Sequence, residues 1–262
     1  PGGTILGAVL FERMAFVATD GKTFETKAAM RKHEMFTQYT FSKKREQKLA
    51  KAPGQLNGQP FDISDLTNCE VTLLDHTDMV QIDYVEGCNI FVAACCEAVW
   101  VRECEGCTFT IACKQLRVRD AKNCTFHLYS KTEPVIETSS DLKFGPFNGA
   151  YPEHAAHMKA ASLDLDANFW WGVFDFSDER NIVEGVPTGK NWSLLPEAEY
   201  AAPWCPLGEA ASCVPASAPG SKPLPSMEGK EGSASGGMMS FSFKTNQEDA
   251  DQAHLQMESN AA

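Results

Sequence analysis

From Leu66 to Ser139 the hydrophobic positions recur in short alternating runs at a nearly fixed interval. Four cysteines mark it: Cys69, Cys88, Cys107 and Cys124, each preceded by Asn or Gly and spaced by 19, 19 and 17 residues. After each comes an alternating segment: Glu70–Asp75, Asn89–Ala94, Thr108–Cys113 and Thr125–Ser130. A second strand follows in step at Met79–Tyr84, Ala98–Glu103, Gln115–Asp120 and Pro134–Ser139. Strands repeating at a period near 19 predict a β-solenoid, in which no coil buries its own apolar face and neighbours must stack. Alternation turns Val71, Leu73, Ile90, Val92, Phe109, Ile111, Phe126 and Leu128 inward. In the second strands it turns Gln81, Trp100 and Arg117 outward, with Asp83, Arg102 and Arg119 beside them. Such a row reads either as plain stacking between coils or as a binding face.

The flanks carry weaker patterns. Thr4–Ala18 is apolar with a strand-like middle. Thr23–Lys51 predicts a partly helical, amphipathic extension capped at Thr23, and its Lys43–Lys51 end is the chain's basic cluster. That cluster reads as a solvated face or as a contact for an acidic surface. Pro53-Gly54 breaks the chain before the solenoid. Beyond it, Pro152 marks a short helix, and Phe169, Trp170, Trp171, Phe174 and Phe176 predict an aromatic cover over the solenoid's open end or side. Asn191–Pro196 reads as a second anchor. From Ala201 onward Pro, Ser, Gly, Ala and Glu dominate, which predicts a low-complexity tail. The expected division is therefore an N-terminal extension over 1–52, a solenoid domain over 53–200 and a tail over 201–262.

Composition narrows the function. The net charge of −12 and pI of about 5.0 argue against nucleic acid as a partner. No apolar run is long enough to span a bilayer, so no integral membrane segment is expected. The chain opens on proline, which leaves an upstream targeting or acylation segment open. Ten cysteines could signal disulfides, but repetition at one place per coil points instead to a reduced, buried ladder in a cytoplasmic protein. The sequons at Asn123 and Asn191 are then idle. Cys104-x-x-Cys107 and Cys95-Cys96 lack a second ligand pair for zinc, and His76 and His127 have no partner pattern. No metal and no cofactor are expected, nor an independent active site.

Several ordered motifs carry a family resemblance. They are Gly58-Gln59-Pro60-Phe61, the run from Ile111 to Asp120 (IACKQLRVRD), Pro134 to Ser140 (PVIETSS), Lys143-Phe144-Gly145-Pro146-Phe147, Tyr151-Pro152-Glu153 and Asn191 to Pro196. Over about residues 35–200 the chain resembles the tubulin-binding cofactor C (C-CAP/cofactor C-like) domain family, nearest its XRP2-type branch. The resemblance implies an all-β, right-handed parallel β-helix with short flanking helices. It also implies a GTPase-activating role toward an Arf-like small GTPase or tubulin. Arg117 matches the family's arginine finger and Glu137 the carboxylate that orients it. The family's paired glutamines correspond to Lys114 and Gln115, so the first is replaced by a cation. Lys114, Gln115, Trp100, Arg119, Phe144, Phe147 and Tyr151 are the expected partner-binding residues. A second reading stays open: a non-catalytic structural or assembly subunit of a ciliary, microtubule or other large complex, docking through the solenoid and tail. Both readings expect a cytoplasmic protein at the cytoskeleton, cilium or flagellum.

Overall fold

The computed structural model describes residues 15–163, 168–200 and 204–207. The apolar opening upstream of residue 15 and all of the tail except 204–207 lie outside the described residues. The chain begins with a small antiparallel pair, β1 (Phe16–Val17) and β2 (Thr23–Phe24), followed by helix α1 (Lys27–Gln38). The cap of α1 is Thr26, whose hydroxyl accepts from the Ala29 amide, and not Thr23, which lies in β2.

A parallel β-helix follows. Its strands are β3 (Thr40–Arg45), β4 (Lys48–Lys51), β5 (Phe61–Thr67), β6 (Glu70–Thr77), β7 (Val80–Glu86), β8 (Asn89–Arg102), β9 (Thr108–Arg119), β10 (Thr125–Ser130), β11 (Val135–Glu137) and β12 (Leu142–Pro146). After helix α2 (His154–Ala160) come β13 (Phe174–Asp175), helix α3 (Glu179–Glu184) and β14 (Trp192–Leu194). Every pairing from β3 onward is parallel, and the strands stack as two ladders. One runs β3, β5, β7, the second half of β8, the second half of β9, β11 and β13. The other runs β4, β6, the first half of β8, the first half of β9, β10, β12 and β14.

The Asn/Gly-Cys step is the corner between the ladders. Asn68, Gly87, Gly106, Asn123 and Asp141 all have φ between 51° and 64°, the left-handed region that favours Gly, Asn and Asp. At Gly87 a Cβ would collide with the Asn68 side-chain oxygen of the coil before. The following cysteines are buried and free. Their thiols also serve the bent backbone. The Cys69 amide donates to Cys88 Sγ at 3.1 Å and the Cys88 amide to Cys107 Sγ at 3.4 Å. Each thiol in turn donates to the carbonyl two residues before it, at 3.3–3.4 Å. Behind this column Phe109, Phe126 and Phe144 stack with centroids 4.9 and 5.0 Å apart. Burial pushes the thiols of Cys95 and Cys104 up to about 12, which suits structural rather than reactive cysteines.

Three features differ from the sequence expectation. The β-helix starts at Thr40, inside the segment read as an extension. There Phe41 packs edge-on against Phe61 with centroids 5.0 Å apart, while the basic side chains between its inward positions obscure the alternation. The aromatic segment does more than cover an end, since Phe174 pairs with Val135 and Leu194 with Phe144, forming a last coil. Finally, Trp204 and Cys205, assigned to the tail, belong to the packed domain. Trp204 exchanges backbone hydrogen bonds with Asn148 and Ala150, and its ring lies 5.3 Å from Phe91.

The outward side of the second ladder is also covered. Leu74, Phe91, Ala93, Ala112, Tyr129 and Phe147 form a second core with Tyr151 and with Met158 and Ala161 around α2. Runs apolar at consecutive positions, such as Ile90–Cys95, fit a strand covered on both faces. His154 anchors α2 here. It is fully buried, its Nε2 lies 3.0 Å from the Ala93 carbonyl, and its Nδ1 has no partner among the described residues. No helix of the described residues is long and apolar enough to cross a membrane.

Two outcomes test this packing. Cys107→Asp places an unpaired charge in the corner column and should cost about 4 kcal/mol in urea unfolding. A small loss would mean that the column tolerates water. The second concerns acid. Burial depresses His154 to about 4, against the partial opposition of its bond to Ala93, whereas the unfolded chain titrates near 6.5. The stability is therefore complete above pH 6.5 and is lost as pH falls toward 4, by up to about 3 kcal/mol. His154→Gln, which keeps a donor for Ala93, should flatten the unfolding free energy between pH 7 and 5. An unchanged slope would clear His154 of this role.

Candidate functional site

The outward side of the first ladder remains uncovered at mid-height, and parallel register decides what meets there. Gln81, Trp100, Arg117 and Val135 stand in one outward column, and Asp83, Arg102, Arg119 and Glu137 in the next. Coils repeat about every 4.8 Å, so Arg102 and Arg119 are stacked like charges and need compensation.

Each arginine solves this differently. Arg102 reaches down one coil to Asp83, with Nε to Oδ1 at 2.6 Å and Nη2 to Oδ2 at 2.8 Å, and also donates to Gln81 Oε1 at 2.8 Å. These bonds to Asp83 raise the Arg102 guanidinium pKa further. Arg119 turns to Asp120 at 3.2 Å. Arg117 lies over the indole of Trp100, with its guanidinium carbon 5.2 Å from the ring centroid, and Arg102 touches the same ring at 5.9 Å. Among the described residues Arg117 has no carboxylate partner. A guanidinium held by a ring face keeps its in-plane N–H donors available. The last coil supplies Phe176, 46% exposed, whose amide donates to the Ile136 carbonyl. Together Trp100, Arg102, Arg117, Arg119, Val135, Glu137 and Phe176 line a shallow recess of about 130 Å³.

The sequence-derived site residues divide. Arg117, Trp100, Arg119 and Glu137 do come together, although Glu137 stands in register with Arg119 and not with Arg117. Gln115 shares the outward side of Arg117 and is half-buried. Lys114 is at the corner, where its ammonium binds Glu97 of the coil before at 2.8 Å, which raises its pKa. Its charge is thus directed away from the Arg117 column. Phe144, Phe147 and Tyr151 are not on a binding face. Phe144 stacks inside the β-helix, and the other two sit under α2, because both sides of the second ladder are buried. Phe176, read from the sequence as part of an aromatic cover, also lines the recess. The Phe-Asp-Phe alternation at 174–176 was the available signal.

A second polar group lies apart from this recess. Asp75 is 1% exposed, and its Oδ2 accepts from the Leu56 and Asn57 amides at 2.8 and 2.9 Å. Its Oδ1 accepts from the His76 amide at 2.8 Å and lies 3.1 Å from His76 Nδ1 and 3.4 Å from His157 Nε2. The other nitrogen of His157 meets the Tyr151 hydroxyl. Burial raises the Asp75 pKa, but the Asn57, Leu56 and His76 amides outweigh it and hold the carboxyl below its ordinary value. Burial lowers His157 and so favours neutral imidazole.

Residues 58–176 match the family model for Tubulin binding cofactor C. The chain is 37% identical over 169 residues to Protein XRP2 of Mus musculus, covering 64% of this chain and 47% of that protein. It is 30% identical over 165 residues to Tubulin-specific chaperone C of Mus musculus, covering 63% and 47%. A solved structure, Tubulin Binding Cofactor C from Leishmania major, covers 69% of this chain and 99% of its own, at 16% identity and a TM-score of 0.43. The chain spans about half the length of the curated relatives it matches. The coil that bears Arg117 lies within the matched segment, and over residues 58–176 the chain resembles the tubulin binding cofactor C family.

Proposed function

We propose that this domain stimulates GTP hydrolysis on an Arf-like small GTPase or on tubulin, with Arg117 as an arginine finger. The name of one relative, a tubulin-specific chaperone, makes tubulin a natural candidate. The observation that carries the reading is the state of Arg117. Of three neighbouring arginines, it alone keeps its guanidinium free of a carboxylate among the described residues. A finger must bring unspent N–H donors and positive charge to a phosphoryl group whose oxygens gain charge in the transition state. The Trp100 face holds the guanidinium plane before docking. Glu137, on the rim of the same recess, orients it once the partner has closed the site, and Phe176 and Arg119 contact the partner around it. The expected place of action is the cytoplasm, at the cytoskeleton or a cilium.

The competing reading is a docking block without catalytic effect. It draws on Lys114, which occupies a family glutamine position and forms a surface pair with Glu97.

Single-turnover GTP hydrolysis by tubulin and by a panel of Arf-like GTPases, with and without the domain, separates the two. Arg117→Ala should remove about 10³–10⁵ of the stimulated rate while largely sparing binding, since the finger acts on the transition state. Trp100→Ala should lower stimulation about tenfold, the scale of one cation–π contact of about 1–2 kcal/mol. Glu137→Gln should cost less than loss of the finger, and Lys114→Gln should leave the rate equal or higher. Stimulation indifferent to Arg117→Ala would sink the finger. No stimulation from any of these GTPases would leave the docking role.

A further inference from the structure

We propose that Asp75, His76 and His157 form a binding site for a divalent transition-metal ion of the zinc type, joining β6 to α2. The three donor atoms, Asp75 Oδ1, His76 Nδ1 and His157 Nε2, all lie within 4.8 Å of one another. Two imidazole nitrogens converge on one carboxylate oxygen, at 3.1 and 3.4 Å. Zinc bonds to His and Asp are about 2.0–2.2 Å, so adjacent ligands of a tetrahedral ion are about 3.3 Å apart. The observed separations match that edge. The His157 approach is in turn longer than the usual range for an N–H···O hydrogen bond.

The surroundings meet the further requirements of a metal centre. The Asp75 carboxylate is fixed by three backbone amides, from Leu56, Asn57 and His76, so it is oriented before any ion arrives. His157 is held from its far side by the hydroxyl of buried Tyr151, an outer contact that sets both ring orientation and tautomer. The side chains of His76 and His157 are 26% and 14% exposed, enough for an ion to enter and for water to fill a fourth position. Two imidazoles and one carboxylate select zinc-like ions over magnesium or calcium, which prefer all-oxygen sites. The buried cysteines lie in other columns and contribute no ligand here.

The group does not lie on the ladder that carries Arg117. Its function would be to pin α2 and the second core to the flank of the β-helix. Binding should weaken as pH falls, because each imidazole must shed its proton to bind.

The test titrates Zn²⁺ into the reduced chain of residues 1–262 by calorimetry and examines the loaded protein by X-ray absorption. The expected result is one ion per chain with a nitrogen/oxygen shell near 2.0–2.1 Å and no sulfur shell near 2.3 Å. His157→Gln should abolish this saturable binding, and Tyr151→Phe should weaken it about 10- to 100-fold. Zn²⁺ should raise the unfolding midpoint of the natural chain above its value in chelator and leave that of His157→Gln unmoved. If His157→Gln fails to fold in chelator, His76→Gln serves the same purpose at a more exposed ligand. Absence of saturable binding, a sulfur shell, or binding that survives both histidine variants would overturn the site. GTPase stimulation is a separate readout, so failure here leaves the Arg117 reading standing.

Discussion

The structure depends on parallel register. Each residue of a coil lies about 4.8 Å from its counterpart in the next, so a choice at one position is repeated along a column. A column can be continued only by side chains that tolerate their own kind as neighbours. Phenylalanine does so by offset stacking, as at Phe109, Phe126 and Phe144. Cysteine does so at the corner, where the chain passes through a left-handed residue and the ladder bonds are interrupted. A larger apolar residue would fill the space but would leave amides such as that of Cys69 without the sulfur acceptor they now use. The repeated thiol is therefore a compact answer to both packing and polarity.

Charged columns cannot be continued in this way, and that restriction shapes the exposed face. Three arginines on two successive coils would repel one another. The molecule separates them with an acid below, a ring between and an acid beside: Asp83, Trp100 and Asp120. Through its middle coils the second ladder avoids the problem by burying both its sides. The open recess at Arg117 and the structural packing under α2 are thus divided between the two ladders, and the register enforces the division.

This logic explains what the sequence reveals. Cys69 to Cys124 announce the corners, and strict alternation puts Trp100 and Arg117 outside, because both depend only on neighbours along the chain. The first coil is hidden because Lys43, Lys44 and Arg45 dilute the inward positions. The last coil is hidden because Phe174 and Trp192 reach their partners across long intervals, with α3 between them. Phe147 and Tyr151 stand in motif-like surroundings, and only the docking of α2 reveals that they are core. His157 is likewise invisible as a partner of His76, because one lies on a helix and the other on a strand far earlier in the chain.

The way in which Arg117 is held bears on how the proposed finger would be stored. An arginine paired with a carboxylate must surrender charge-assisted bonds worth about 1.5–3 kcal/mol each before its donors can reach a phosphate. Arg102, forked onto Asp83 and further bound to Gln81, carries that burden and is poorly suited to leave. Arg117 lies over a ring, whose attraction engages its charge without drawing its N–H donors into a carboxylate pair. Moving it toward a phosphoryl oxygen breaks no carboxylate pair. The neighbouring fork also keeps Asp83 engaged, so this acid does not compete for Arg117. The fixed Arg102 pair and the uncommitted Arg117 are therefore two parts of one arrangement, in which neutralising the first keeps the second available.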